Sequence, residues 1–196
     1  LSSMLDYGDI ELAGIIFHEL THQLLYVPGD SSFNEAFATT VEEEGVRRWL
    51  LVQGRRADLE RYEAANARDL EYIALFRDYR QRLEQLYSSG LPRSEMLARK
   101  RATFASLADQ MRAIERRTGK PSPYADWVEE GLNNAHLASV ATYYDCVPGF
   151  RKILREDGGD LKRFYADVRA LAREPASERD AAVCVSLSAR SPRESG

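Results

Sequence analysis

From Asp9 to Ala172 apolar residues recur at the three- and four-residue spacing of helices, and no stretch alternates β-branched with polar residues as a half-buried strand does. A chain patterned this way is confined to an all-α fold with little or no sheet. The spacing predicts a first helix from about Asp9 to about Leu25. Leu12, Ile15, Ile16, Phe17, Leu20 and Leu24 make it apolar nearly all round, so it is expected at the centre of the molecule. Val27-Pro28-Gly29-Asp30 punctuates its end. A second helix should follow Ser31-Ser32, where Ser32 and Glu35 stand in the spacing of a capping box, and run to about Gln53.

Beyond Asp58 the chain becomes highly charged. Tyr72, Leu75, Tyr79, Leu83 and Leu86 keep a narrow apolar stripe, and Leu97, Phe104, Leu107, Met111 and Ile114 continue it after Ser88-Ser89-Gly90-Leu91-Pro92. This pattern predicts a long antiparallel hairpin, residues 57–119, carried as an arm within a single helical domain of residues 1–174. Three shorter helices are expected over Asn133–Tyr144, Gly149–Glu156 and Asp160–Ala172. Residues 175–196, rich in Ser, Arg and Glu, read as a flexible tail apart from Ala181–Val185. Cys146 and Cys184 lack the close pairing of a zinc ribbon or redox dithiol and are read as separate half-buried thiols, a disulfide being the alternative in an exported protein.

His18-Glu19-Leu20-Thr21-His22 sits in the first helix. Residues four apart on a helix share a face, so the two imidazoles can bind one metal ion while Glu19 stands beside them. Zinc held there activates a water, and the adjacent carboxylate takes its proton during attack on a carbonyl. An apolar helix that buried two imidazoles and a carboxylate without a metal or partners would be costly. A catalytic zinc needs a third protein ligand and an open fourth position. The short turn at Tyr26–Asp30 brings a second helix back antiparallel, with Glu35 in its first turn near His22; the rival role for Glu35 is the glutamate of the Ser32 capping box.

The motif followed by Asn34-Glu35-Ala36-Phe37-Ala38-Thr39-Thr40-Val41-Glu42 resembles the gluzincin peptidases. Residues 15–50, together with the run Asn133–Tyr144 and Gly158-Gly159-Asp160-Leu161, more closely resemble a family of bacterial zinc aminopeptidases known mainly from sequence. The resemblance implies one zinc ion on His18, His22 and Glu35, with Glu42 supporting a histidine ligand. It implies aminopeptidase activity on a peptide substrate. It also implies a long upstream segment, of which this sequence would be the remainder, and export to the periplasm as a lipoprotein. Glu35 and Glu42 lie two turns apart on one helix face, in agreement with these roles. Only twelve residues separate His22 from Glu35, a shorter span than in the best-known gluzincins.

An oxyanion donor is required besides the zinc. His136, Tyr143 and Tyr144 are the candidates; His136 and Tyr143, seven apart, share a helix face, and their rival role is core packing. A different class of function is a non-catalytic helical interaction protein with a structural or vestigial zinc, its charged hairpin docking a partner. The net charge of −4 comes from interleaved signs without a basic block, which argues against nucleic acid as a partner. No apolar run approaches the length of a transmembrane segment.

Overall fold

The computed structural model describes residues 8–184, and every regular element among them is helical. They are α1 (Asp9–Leu24), α2 (Ser31–Val52), α3 (Arg56–Tyr87), α4 (Arg93–Thr118), α5 (Ala125–Glu130), α6 (Asn134–Tyr144), α7 (Val147–Glu156), α8 (Leu161–Leu171) and α9 (Ala176–Val183). The described residues form two compact units, one of those up to Glu60 together with those from Thr142 on, and one of Arg61–Ala141.

In the first unit α2 has two working faces. Phe33, Ala36, Phe37 and Val41 are buried against α7 and α8, where Phe33 and Phe37 meet the Phe150 ring at 5.0 and 5.8 Å and Phe37 meets Phe164 at 5.7 Å. Edge-to-face and tilted aromatic pairs at these separations add to the area they remove from water. Arg151 of α7 closes a fork on Glu43 at 2.6–2.9 Å, fixing the same interface at its polar edge. The other face of α2 receives α1, running antiparallel. Two glycines set this approach: a Cβ on Gly45 would meet the Phe17 ring at 2.9 Å, and one on Gly14 would meet Glu42 Oε1 at 3.1 Å. Arg55, just beyond α2, hydrogen-bonds Asp9 at the start of α1.

Three expectations are corrected here. α1 is not central: among the described residues its chief neighbour is α2, and Ile16, Leu20 and Leu24 on the opposite side are 47, 54 and 38% exposed. An apolar circumference identified the helix but not its depth. Residues 176–183 of the expected tail are α9, anchored by buried Arg179 and Val183; residues 185–196 lie outside the described residues. The cysteines are not separate thiols, for Cys146 and Cys184 form a disulfide between the N-cap of α7 and the end of α9.

The second unit contains the hairpin of α3 and α4. Tyr79 and Ser106 hydrogen-bond at 2.7 Å and Arg117 bonds Glu71, a register only antiparallel helices allow. Tyr72, Ile73, Phe76, Tyr79 and Leu83 pair with Phe104, Leu107, Met111 and Ile114 as its buried stripe. Tyr124 and Trp127 pack on Phe76 at 4.9 and 5.7 Å, completing that core. No helix among the described residues is long and apolar enough to cross a membrane.

Candidate metal centre

The turn between α1 and α2 is held by side chains that replace backbone partners. Asn34, buried in the first turn of α2, accepts from the Val27 N–H and donates to the Val27 carbonyl, both at 2.8 Å. Asp30 caps α2 by accepting the Phe33 N–H at 3.1 Å. The cap is therefore Asp30 rather than Ser32, and Glu35 is not the carboxylate of a capping box. Its side chain points to α1 instead.

There His18 and His22 stand one turn apart, their rings 4.9 Å from centroid to centroid. His18 Nε2 lies 3.2 Å from Glu35 Oε2, and His22 Nε2 lies 3.8 Å from Glu35 Oε1. One ligand atom from each of His18, His22 and Glu35 falls within 4.8 Å of the others, so the three could hold a metal ion. On the far side of its ring His18 donates Nδ1–H to Glu42 Oε2 at 3.0 Å. That hydrogen bond is the largest cause of a raised His18 pKa in the metal-free protein; burial opposes it, and Glu35 adds to it.

Glu42 reaches His18 across the bare Cα of Gly14, which is buried beneath its carboxylate. Glu19 is exposed on α1, next to His18 in sequence and three residues before His22. The Tyr26 ring stands nearly perpendicular to that of His22, centroids 6.2 Å apart, and the residue is 58% exposed. His22 Nδ1 is buried and has no hydrogen-bond partner among the described residues.

His18, His22, Glu35 and Glu42 are thus brought together from the candidates proposed by the sequence. Tyr143 is outside the hydrogen-bonded circle around His18 and is 46% exposed on α6. His136 belongs to the second unit, where its ring stacks on Trp127 at 4.7 Å and 6° with Nδ1 buried. Sequence reasoning did not single out Gly14, Asn34 and Tyr26, which the structure places around the candidate site. Asn34 had a signal, since it adjoins the ligand candidate and is itself the first residue of the Asn-Glu-x-x-Ala pattern. A glycine four residues before His18, inside an apolar helix, was a second, because such a position usually marks close packing.

The model of a protein family described as Putative aminopeptidase matches residues 1–183. No curated protein and no solved structure matches the chain.

Proposed function

The chain belongs to the Putative aminopeptidase family, and from that premise we propose that it is a zinc-dependent peptidase whose ion is held by His18, His22 and Glu35. The observation that carries this reading is the convergence of two imidazoles and a carboxylate, backed by Glu42 and flanked by an exposed Glu19. This donor set suits zinc. Bonds of about 2.0–2.2 Å to a tetrahedral ion require ligand atoms roughly 3.3 Å apart. Glu35 places Oε2 3.2 Å from His18 Nε2 and Oε1 3.8 Å from His22 Nε2, and one ligand atom from each of the three residues lies within 4.8 Å of the others, a set that closing onto an ion would draw together.

When bound, zinc supplies a Lewis acid that polarises the scissile carbonyl and brings the pKa of water towards neutrality. Glu42 holds the proton on His18 Nδ1, which leaves the Nε2 lone pair for the ion and fixes the ring's orientation. The Glu19 carboxylate takes the proton of the attacking water and returns it to the leaving amine nitrogen. Its exposure on α1 leaves it open to a peptide approaching from solvent. Preference for a free amino terminus rests on the family description. A structural zinc would close its fourth position with another protein ligand, whereas the cluster among the described residues numbers three. The Cys146–Cys184 disulfide supports an oxidising compartment and hence export.

The test is elemental analysis for zinc together with hydrolysis of aminoacyl anilides and their N-acetylated counterparts. Wild type should hold one zinc per chain and cut only the free-amine substrates. Glu35→Ala should lose the metal, and Glu19→Gln should keep the metal while losing activity. Wild type without zinc would refute the reading; cleavage of the acetylated substrates would refute the restriction to aminopeptidase.

A further inference from the structure

Helix α9 makes its polar contact with the start of α2 through Arg179, while Val183 joins the apolar cluster that α2 shares with α7 and α8. Arg179 is buried, although α9 has only eight residues and, besides Arg179, buries Val183 alone. Its Nε and Nη2 both donate to Asp30 Oδ2, at 2.8 and 2.6 Å, its Nη1 donates to the Glu174 carbonyl at 2.6 Å, and its guanidinium lies 5.7 Å from the centre of the Phe33 ring. The two side chains of the ion pair are 11 and 12% exposed, so water screens the contact little. Asp30 thus has one carboxylate oxygen on the N-terminus of α2 and the other on α9. Glu35 is five residues further along α2.

A helix of this length does not persist on its own propensity. Two features fasten it. A Cβ on Gly149 would fall 2.2 Å from the Val183 Cα, so α9 ends directly against α7, and the Cys146–Cys184 disulfide locks that seat.

We propose that Arg179 is a positioning residue for the metal site, acting through Asp30 on Glu35, and that the disulfide makes this placement sensitive to reduction. The inference rests on the zinc reading above. A small-molecule dithiol would attack the disulfide, leave thiols on Cys146 and Cys184, and depart as its own cyclic disulfide. α9 then loses its covalent seat, Arg179 leaves Asp30, and a largely covered carboxylate without its partner at the α2 cap loosens the first turns of the ligand helix.

The experiment is a zinc affinity measurement on the full chain by competition with a chromophoric chelator, with helix content followed by circular dichroism. Protein reduced with dithiol is alkylated and freed of reductant before titration. Arg179→Met and Asp30→Asn should each weaken zinc binding about five- to tenfold, somewhat less than the loss expected when a direct partner of a ligand is removed. Arg179→Lys should recover part of the loss. The reduced, alkylated wild type should show a similar decrease, and reduction should add less than twofold to Arg179→Met because both act through one contact. Wild-type zinc affinity in folded Arg179→Met and Asp30→Asn would overturn the role of Arg179, and fully additive losses would overturn its link to the disulfide. Failure of oxidised wild type to bind zinc would instead overturn the underlying metal reading.

Discussion

Removing the Glu42 carboxylate is the most direct probe of how α2 prepares His18. Glu42→Ala deletes one hydrogen bond, from His18 Nδ1 at 3.0 Å, and leaves Glu35 and both imidazoles in place. A hydrogen bond to a charged group contributes about 1.5–3 kcal/mol. His18 is 20% exposed and Glu42 33% exposed at the side chain, so partial screening by water places the loss in the lower half of that range. About 1.5–2 kcal/mol corresponds to roughly 10–30-fold weaker zinc binding. Independent experience with the outer partners of metal-ligating histidines gives about 10–100-fold, which overlaps this figure. Glu42→Gln retains an acceptor oxygen but not its charge and should lose only about threefold. The assay is chelator competition at fixed pH, with elemental analysis to confirm stoichiometry. A change below twofold for Glu42→Ala in a folded protein would refute the claim that this carboxylate orients His18 for a metal.

Gly14→Ala should separate helix stability from metal binding. Alanine favours the α1 helix by up to about 1 kcal/mol, yet its Cβ would meet Glu42 Oε1 at 3.1 Å and push the carboxylate aside. Tm should hold or rise while zinc affinity falls about two- to fivefold, as thermal melts and competition titrations will report. The metal-free protein should be less stable at pH 8 than at pH 6 through His18. The folded pKa of His18 lies above 6.5, so its stabilisation is present in full below that value and disappears as pH rises through the folded pKa. Melts in chelator for wild type and Glu42→Ala test this, the variant showing the flatter dependence. Phe37→Ala should cost about 3–5 kcal/mol in denaturant melts, since the ring is 1% exposed and touches Phe150, Phe164 and Tyr165.

The residues that could hold a metal were legible in the sequence because the group is local. Its members come from two consecutive helices and one short turn, so helical periodicity at His18 and His22 and the punctuation at Pro28-Gly29 were enough to bring Glu35 opposite them. The same reasoning failed on the cap. Ser32 and Glu35 have the spacing of a capping box, but Asp30, one residue before α2 begins, makes the hydrogen bond to Phe33. Neighbouring residues compete for one N–H, and spacing cannot rank them. It failed also on the depth of α1, because Ile16, Leu20 and Leu24 have the same pattern on an exposed face as on a buried one. The end of the chain was illegible for another reason. α9 has no apolar periodicity, and it is held by a cysteine 38 residues away and an aspartate 149 residues away, partners that no local pattern announces.

α2 joins these two kinds of information. Its ligand candidate Glu35 stands between Asn34 and Ala36, both buried, so the carboxylate can move only if the turn or the aromatic core moves with it. Stability and metal binding should consequently be coupled along this helix, and in a graded way. A defect in the core behind Phe37 should lower the melting temperature first and zinc affinity second, because the core holds the whole helix and only indirectly its first turns. A defect at Asp30, Asn34 or Glu42 should reverse that order, since each of these holds the turn or a ligand candidate and little of the core. Measuring both quantities across Phe37→Ala, Asn34→Ala and Glu42→Ala distinguishes a site pre-formed by its fold from one that assembles only around its ion; in the second case all three variants would lose stability without any ordered loss of affinity.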